Sequence, residues 1–285
     1  AAALCIKSGN ACVLRGGREA LESNGVIAAI LAKGLEKAGL PADALGFIDV
    51  PDREAVEILI TLDQFVDLVV PRGGEAFVRL VTERATVPIL KHDKGLCHVY
   101  VDAGADLQMA ADIAVNAKVH RPGVCNAMET LLVHADVAPA FLPAVAARLR
   151  SAGVELRGCA RTQALVPEAR PVTDADWDTE YLDLILAIRV VSSFDEAVTH
   201  IRRHGSGVAE AIVTQDYLRA RRFVAEVDTG CVLVNASTRL VDGGQFGMGA
   251  ELGISTSKLH ARGPVGVEEL TTTKFVVMGS GQIRE

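Results

Sequence analysis

Short apolar runs rich in β-branched residues alternate with segments of helical periodicity over the first 118 residues. The first pair is a strand at Ala11–Arg15 followed by a helix at Glu19–Ala38, whose apolar residues recur at helical spacing. The run Val66–Pro71 is apolar almost throughout, which is typical of a strand buried on both faces of a parallel sheet. The same alternation predicts strands at Gly46–Val50, Val87–Leu90 and Leu96–Val101 and helices at Arg53–Leu62, Glu75–Arg84 and Ala105–Lys118.

The alternation restarts after the Pro-Gly pair at residues 122–123. It predicts strands at Thr130–His134, Tyr181–Val190, Glu210–Thr214 and Cys231–Asn235 and helices at Ala140–Ala152, Phe194–His204 and Tyr217–Val227. This order indicates an α/β fold with two units and a mostly parallel sheet. Residues 243–253 are Gly-rich and irregular, and Leu270–Met278 is typical of one long strand that pairs elsewhere in the fold or with another subunit.

Composition and charge exclude several function classes. The chain has 285 residues, with 36 acidic and 29 basic side chains and a net charge of −7. That length suffices for one large domain or two ordinary ones. The acidic balance argues against general nucleic-acid binding, which needs a basic surface. The most apolar stretches are too short or too interrupted for a membrane span.

The six cysteines form no recognisable framework. They occupy positions 5, 12, 97, 125, 159 and 231, without C-x-x-C pairs and without zinc-type Cys/His spacing. The pattern favours a protein of the reducing cytoplasm with no metal site.

The chain begins unusually. Its first residue is not Met, and Ala1–Lys7 is typical of the last turns of a helix that stops at Gly9. We therefore expect the sequence to be part of a longer protein.

An Arg-Gly-Gly triplet follows two predicted strands and precedes two predicted helices. The triplets lie at residues 15–17 and 72–74. Glycines at such a junction let backbone N–H groups approach a ligand, and a helix start favours an anion. The triplets therefore predict a binding site for a nucleotide phosphate. The alternative is two tight turns with solvated arginines, since short Gly motifs are unspecific and no G-x-G-x-x-G occurs.

Cys125 is the strongest candidate nucleophile. It follows the Pro-Gly break between the two predicted units, and junctions of this kind often line clefts. His120, Arg121 and a following helical turn are expected to lower the pKa of its thiol. The alternative is a small buried hydrophobe, because free Cys is often buried. Cys159, between Arg157 and Arg161, ranks second.

Several sequence blocks together are similar to the γ-glutamyl phosphate reductase family of the aldehyde dehydrogenase superfamily. The resemblance covers nearly the whole chain, and the blocks are specific in combination although each alone is weak. In order they are Lys7–Ala11, Leu14–Gly17, Val70–Gly74, Arg121–Pro122, Cys125–Asn126, Glu129–His134, Val234–Arg239, Asp242–Gly247, Gly249–Glu251 and His260–Pro264.

The resemblance implies a fold and a reaction. The fold is aldehyde dehydrogenase-like α/β, with an open Rossmann-type nucleotide domain at residues 1–118, a catalytic domain at 119–246, and a return segment with an oligomerisation strand at 247–285. The reaction is the NADPH-dependent conversion of L-glutamate 5-phosphate to L-glutamate 5-semialdehyde and phosphate, a step of proline biosynthesis. Alternatives are a non-catalytic fragment of such an enzyme, or the reductase part of a bifunctional kinase–reductase.

The resemblance also implies roles for particular residues. Cys125 would be the nucleophile that forms a thioester, with Asn126 beside it. The residues implied for NADP(H) are Arg15, Gly16, Gly17, Arg18, Arg72, Gly73, Gly74 and Glu180, the last through the nicotinamide ribose. The candidates for substrate binding are Arg121, Arg239, His260 and Arg262. The implied partners are a second copy of the chain, giving a homodimer or larger oligomer, and a preceding glutamate 5-kinase.

Two departures from the wider superfamily fit a reductase. Hydrolytic aldehyde dehydrogenases carry a water-activating Glu in the loop that here reads Lys91-His92-Asp93-Lys94-Gly95. Relatives that prefer NAD carry an acidic residue where this chain has Arg18, and a basic residue there suits the 2′-phosphate of NADP. A further departure is the substantial amino-terminal segment of the family, which is absent from this sequence.

Overall fold

Two units, residues 1–51 with 265–285 and residues 52–264, make up the described part of the chain in a computed structural model. The described residues are 1–92 and 94–284. Asp93, in the loop predicted to lack a water-activating glutamate, and Glu285, at the end of the predicted return segment, lie outside them.

The smaller unit contains two short parallel strands separated by a long helix. Its elements are α1 (Ala2–Lys7), β1 (Cys12–Leu14), α2 (Leu21–Lys37) and β2 (Leu45–Phe47). Cys12 pairs with Leu45 and Leu14 with Phe47. Gly9 has a φ of +82°, a conformation that glycine adopts readily, and it follows α1 as the sequence predicts.

The larger unit contains the remaining helices and strands of the described chain. The helices are α3 (Arg53–Leu59), α4 (Glu75–Arg84), α5 (Leu107–Val119), α6 (Ala138–Ser151), α7 (Ala160–Leu165), α8 (Phe194–His204) and α9 (Tyr217–Glu226). The strands are β3 (Cys97–Val101), β4 (Met128–His134), β5 (Glu155–Gly158), β6 (Arg170–Pro171), β7 (Ile185–Val191), β8 (Ala209–Val213), β9 (Cys231–Val234), β10 (Ile254–Ser255) and β11 (Gly263–Pro264).

Seven of these strands form one parallel sheet in the order β6-β5-β7-β4-β3-β8-β9. Every residue of β3, β4 and β8 is buried. These central strands are covered on both faces, which explains why their sequences are nearly continuous apolar runs.

Side chains of the central strands alternate between two apolar layers. Val99 and Val101 pack in a core that includes residues of α5 and α6, whereas Tyr100 packs in a second core with Phe194 and Phe223 of α8 and α9. The period of two along a strand therefore separates the two helical layers of the sandwich. Helix α5 begins at a capping Asp106, whose carboxylate accepts from the Met109 N–H at 2.9 Å.

The predicted alternation of helices and strands is confirmed for most of the chain, but two predicted strands are wrong. The predicted strand at Val66–Pro71 forms only a bridge between Val69 and Ile89, which is also all that remains of the predicted strand at Val87–Leu90. These two side chains pack against a small core of Val56, Ile60 and Val81 instead of entering the large sheet. Their apolar character reflects this local core.

The three predicted functional segments, 1–118, 119–246 and 247–285, stay predictions, and the structural units divide elsewhere. Strand β3 lies in the first predicted segment, but it pairs with β4 and β8 of the second. The sheet of the larger unit therefore extends across residue 118.

The predicted terminal strand forms no β-ladder with any other part of residues 1–92 and 94–284. Residues 271–278 are exposed, and Val277 and Met278 retain 90% and 94% of their accessible surface. Pairing of this segment with another subunit stays a prediction.

Candidate active site

Cys125 lies in a short loop between the end of α5 at Val119 and the start of β4 at Met128. The loop ends in a turn in which the Ala127 N–H donates to the Val124 carbonyl at 3.0 Å. The Cys97 thiol, at the start of β3, donates to the Cys125 carbonyl at 3.3 Å. The candidate nucleophile is thus fixed at the amino ends of two central strands.

The surroundings of Cys125 differ from those expected from the sequence. Burial raises the pKa of its thiol, as do the charges of Glu180 and Glu251, whereas Arg72 acts to lower it. The expected helical turn after Cys125 does not begin a helix, because the single turn at residues 124–127 leads directly into β4. His120 and Arg121 are both exposed and are not among the principal causes of the shift. Arg72 therefore supplies the cationic influence that the sequence assigned to its neighbours.

Gly95 packs directly against the nucleophile. A Cβ built on Gly95 would overlap the Cα and the carbonyl oxygen of Cys125, so only glycine fits there. A hydrogen bond from the Gly95 backbone also acts to lower the pKa of Glu180, although burial of that carboxyl raises it overall. The approach of the Gly95 chain therefore links Cys125 with Glu180.

Asn126 joins the nucleophile loop to the segment after β9. Its side chain is buried, and Nδ2 donates to the Val241 carbonyl at 2.8 Å. Its Oδ1 accepts a hydrogen bond from Arg239, and Nε of Arg239 lies 3.4 Å from Nδ1 of His120. The structure therefore brings the predicted residues Cys125, Asn126 and Arg239 together.

Arg72 lies beside Gly253, and its charge reaches both Cys125 and Glu251. A Cβ on Gly253 would be 2.6 Å from Nη1 of Arg72, so glycine makes room for the guanidinium. Arg72 acts to lower the pKa of Glu251, while burial raises it. Glu251 also accepts from the Gly243 N–H at 2.8 Å. The sequence placed Glu251 in a family block but gave it no role.

The Arg72-Gly73-Gly74 triplet has the predicted position at a helix start. Helix α4 begins at Glu75, with Gly74 as its N-cap. A Cβ on Gly73 would lie 2.8 Å from the Phe77 ring, whereas nothing lies within 4 Å of one on Gly74. The backbone at this helix start is therefore open to a ligand.

The first triplet, in the smaller unit, follows β1 as predicted. A Cβ on Gly16 would overlap the Asn24 side chain, so the turn is closely packed. Nη2 of Arg15 donates to the Pro51 carbonyl at 2.7 Å, and its Nε is buried without a hydrogen-bond partner among the described residues. Arg18 is exposed at the start of the 3₁₀ turn that precedes α2.

The other predicted substrate-binding residues, Arg121, Arg262 and His260, are exposed or already form an ion pair. Arg121 is exposed in the nucleophile loop. Arg262 donates to Asp228 at 2.8 Å, and Lys258 pairs with the same carboxylate. His260 is exposed with a φ of +67°.

Cys159 is a stronger rival than the sequence suggested. It is the N-cap of α7, and hydrogen bonds from Thr162, Val190 and Arg161 lower the pKa of its thiol against the opposing effect of burial. Thiol acidity alone thus favours Cys159, whereas the grouping of Asn126, Arg239 and Arg72 favours Cys125.

The described residues contain neither a metal-binding cluster nor a membrane-spanning helix. Residues 1–92 and 94–284 contain no group of three or more His, Cys, Asp or Glu side chains placed to hold a metal ion. Among the same residues, no helix combines the length and apolar character needed to cross a membrane.

Comparisons with known proteins place these features in a family context. The profile of the aldehyde dehydrogenase family matches residues 1–163 and 175–276. The γ-glutamyl phosphate reductase of Desulfatibacillum aliphaticivorans is 58% identical over 284 residues, which are 100% of this chain and 68% of that protein. The crystal structure of γ-glutamyl phosphate reductase from Thermotoga maritima matches with a TM-score of 0.96 at 50% identity, over 99% of this chain and 68% of that one.

A more distant structure shares the fold alone. Glyceraldehyde-3-phosphate dehydrogenase from Methanocaldococcus jannaschii, solved in complex with NADP, matches with a TM-score of 0.70 at 17% identity. The match covers 94% of this chain and 66% of that one.

Proposed function

The chain belongs to the γ-glutamyl phosphate reductase family of aldehyde dehydrogenases, and from this premise we propose that it reduces L-glutamate 5-phosphate to L-glutamate 5-semialdehyde with NADPH, through a thioester on Cys125. The reaction belongs to proline biosynthesis. The observation that carries the assignment of Cys125 is its grouping with Asn126, Arg239 and Arg72 at the amino ends of β3 and β4.

Cys125 performs the covalent step. Its thiolate attacks the acyl carbon, a C–S bond forms, and the C–O bond to phosphate breaks with departure of phosphate. Burial holds the resting thiol protonated, and the Arg72 guanidinium is the side chain that favours the thiolate. The thioester is then reduced, and collapse of the thiohemiacetal breaks the C–S bond, releases the aldehyde and returns Cys125.

The residues present fit a nicotinamide dinucleotide phosphate. In the smaller unit, the Asn24 side chain and the Glu19 carboxylate lie against Gly16 and Gly17, so the cationic groups carry the assignment there: Arg15 has a buried Nε without a hydrogen-bond partner among the described residues, and Arg18 is exposed. In the larger unit, Arg72, Gly73 and Gly74 stand at the start of α4. We assign these residues to cofactor phosphates, with Arg18 for the 2′-phosphate. Glu180 is assigned to the nicotinamide ribose. NADPH supplies the hydride when it is bound.

Arg239 is the leading candidate for the substrate's anionic groups. It is held by Asn126 next to the nucleophile, and its planar guanidinium suits a phosphate or carboxylate. Arg121, in the same loop, and His260 are further candidates. Arg262 is the weakest, because Asp228 already pairs with it.

The test is oxidation of L-glutamate 5-semialdehyde, followed by the absorbance of NADPH as it forms. We expect turnover that requires both NADP and inorganic phosphate. Cys125→Ser should abolish it, and Cys231→Ser, a matched change of another half-buried thiol, should retain it. A chain without turnover, or turnover that needs no phosphate, would contradict the proposal.

A further inference from the structure

A fully buried ion pair closes the two ends of the loop that carries Cys125. Lys118, in the last turn of α5, donates from Nζ to Oε2 of Glu129 in β4 at 2.7 Å. Both side chains are 0% exposed. The pair therefore brackets residues 119–128 and fixes where the loop leaves the helix and enters the strand.

The same carboxylate holds a second segment of the site. The other oxygen of Glu129, Oε1, accepts from the Leu182 N–H at 3.3 Å. Leu182 has a φ of +55°, a left-handed conformation that is strained for this residue type. A Cβ on Gly123, in the nucleophile loop, would lie 3.5 Å from the Leu182 carbonyl. The two segments thus approach closely where Glu129 bridges them.

The neighbour of Leu182 is also fixed. The Tyr181 hydroxyl donates to Asp176 at 2.7 Å, and the Arg157 guanidinium lies 5.1 Å from the centre of the ring. Nζ of Lys118 lies 5.9 Å from the same ring. Glu180 directly precedes this fixed residue, so the contacts of residues 181 and 182 constrain the backbone from which its carboxylate extends.

Fold stability alone gives no reason for this ion pair. Removing two charges from water is expensive, and well-packed apolar residues of similar size often serve a buried position equally well or better. Here burial raises the pKa of Glu129 to about 7 and lowers that of Lys118, which shows how strongly the site opposes charge. Apolar side chains cannot reproduce the two hydrogen bonds that Glu129 accepts at once, from Lys118 at the end of α5 and from the Leu182 N–H.

We propose that Lys118 and Glu129 are positioning residues that set the Cys125 loop and the Glu180 segment relative to one another. The roles of Cys125 and Glu180 in this inference rest on the proposed function. The positioning itself is measurable without turnover, because the accessibility of the Cys125 thiol depends on how its loop is held.

The test compares a double variant, Lys118→Met/Glu129→Leu, with the wild-type chain. The apolar pair replaces both charges together and removes the acceptor of the Leu182 N–H. We measure the denaturant midpoint and the rate at which iodoacetamide alkylates Cys125, located by peptide mass spectrometry. The expected result is an unchanged or higher midpoint with alkylation faster by about fivefold or more, since a freed loop exposes the thiol.

A matched control removes a surface ion pair, one member of which, Asp112, lies on α5. Arg148→Met/Asp112→Asn deletes an exposed ion pair between α6 and α5. It should change neither the denaturant midpoint nor the rate of Cys125 alkylation. A folded Lys118→Met/Glu129→Leu variant whose Cys125 reacts within about twofold of wild type would overturn the proposal. A midpoint that falls together with the rise in alkylation would overturn it as well, because the pair would then act through the fold as a whole.

A single variant keeps the proposal testable if the double variant does not fold. Glu129→Gln is nearly isosteric, but only one amide oxygen remains to accept from either Lys118 or Leu182. It should again raise Cys125 alkylation, and wild-type alkylation would contradict the inference. Where the chain turns over, both variants should lower kcat. Alkylation that rises in a chain without turnover would support the positioning role and contradict only the proposed function.

Discussion

Cys125 and Cys159 are both half-buried, yet their surroundings move their thiol pKa values in opposite directions. Burial and two carboxylates raise the pKa of Cys125, whereas hydrogen bonds to the sulfur of Cys159 lower its pKa. A protonated resting thiol is less reactive toward oxidants and other electrophiles. The proposal of Cys125 as nucleophile therefore rests on its grouping with Asn126, Arg239 and Arg72 and not on the acidity of its thiol in the free protein.

Serine substitutions distinguish the two thiols directly. When semialdehyde and NADP are mixed with the chain in the absence of phosphate, an acyl group should accumulate on Cys125 and be detected by peptide mass spectrometry. Cys125→Ser should lower phosphate-dependent turnover by at least about a thousandfold, because no covalent intermediate can form. Cys159→Ser should still accumulate the acyl group. An acyl group found on Cys159 would contradict the assignment.

Arg18 is predicted to set the choice between the two nicotinamide cofactors. Arg18→Glu replaces a cation at the proposed 2′-phosphate position by a repelling carboxylate. A charge-assisted hydrogen bond contributes about 1.5–3 kcal/mol, so the preference for NADPH over NADH should fall by at least about tenfold. The measurement is the ratio of kcat/KM for the two cofactors. Arg53→Glu, at the exposed start of α3, is the control, and an unchanged ratio for Arg18→Glu would remove that residue from the cofactor site.

Helices and central strands could be predicted from the sequence because their signals are local. Phe194–His204 is predicted at its observed bounds. The strand at Glu155–Gly158, which lies second from the edge of the sheet, escapes sequence prediction because its charged residues alternate with small and apolar ones. The apolar run Val66–Pro71 resembles a sheet strand, but Val69 packs in a separate small core.

The candidate site could be predicted only where its residues are close in sequence. Cys125 and Asn126 follow a visible Pro-Gly break, and the family blocks pointed to Arg239. The contribution of Glu251 and the bridge from Glu129 to Leu182 depend on segments that approach each other only after folding. Periodicity and motif spacing carry no information about such contacts.

Buried histidine rings connect β3 to α8. The rings of His98 and His200 meet edge to face at 5.4 Å, and His200 packs against Trp177 at 5.2 Å. Burial lowers the pKa of His98 to about 3 and that of His200 to about 2. Burial also raises the pKa of Glu210, so the surroundings disfavour charge on both partners of its 2.9 Å contact with His98.

Acid should therefore weaken the fold through His200. The pKa of His200 is lower in the folded than in the unfolded chain. Its contribution to the free energy of unfolding is therefore complete above the ordinary pKa of 6.5 and is lost as the pH falls toward 2. The loss is about 1.4 kcal/mol per pH unit. Glu210 and Glu129, whose pKa values are raised, act in the opposite sense, so the comparison must be between variants.

His200→Gln isolates this contribution. Between about pH 6.5 and pH 5, the free energy of unfolding of the wild type should fall by about 2 kcal/mol more than that of the variant. Denaturant unfolding at the two pH values measures the difference. Parallel pH dependences in the two proteins would show that His200 accepts its proton without disturbing the fold.

The exposed tail carries the prediction about assembly. Residues 271–278 bury little surface although Phe275, Val277 and Met278 are apolar, and they have no ladder partner in the described part of the chain. An apolar segment with unpaired backbone groups is a ready template for pairing with another chain. We expect the wild-type chain to scatter light as a dimer or larger oligomer, and a chain ending at Leu270 to have at most about half that mass.

Leu259→Ser removes an apolar side chain that is equally exposed outside the tail and should leave the mass unchanged. Equal masses for the full chain and the chain ending at Leu270 would show that the tail is not the interface.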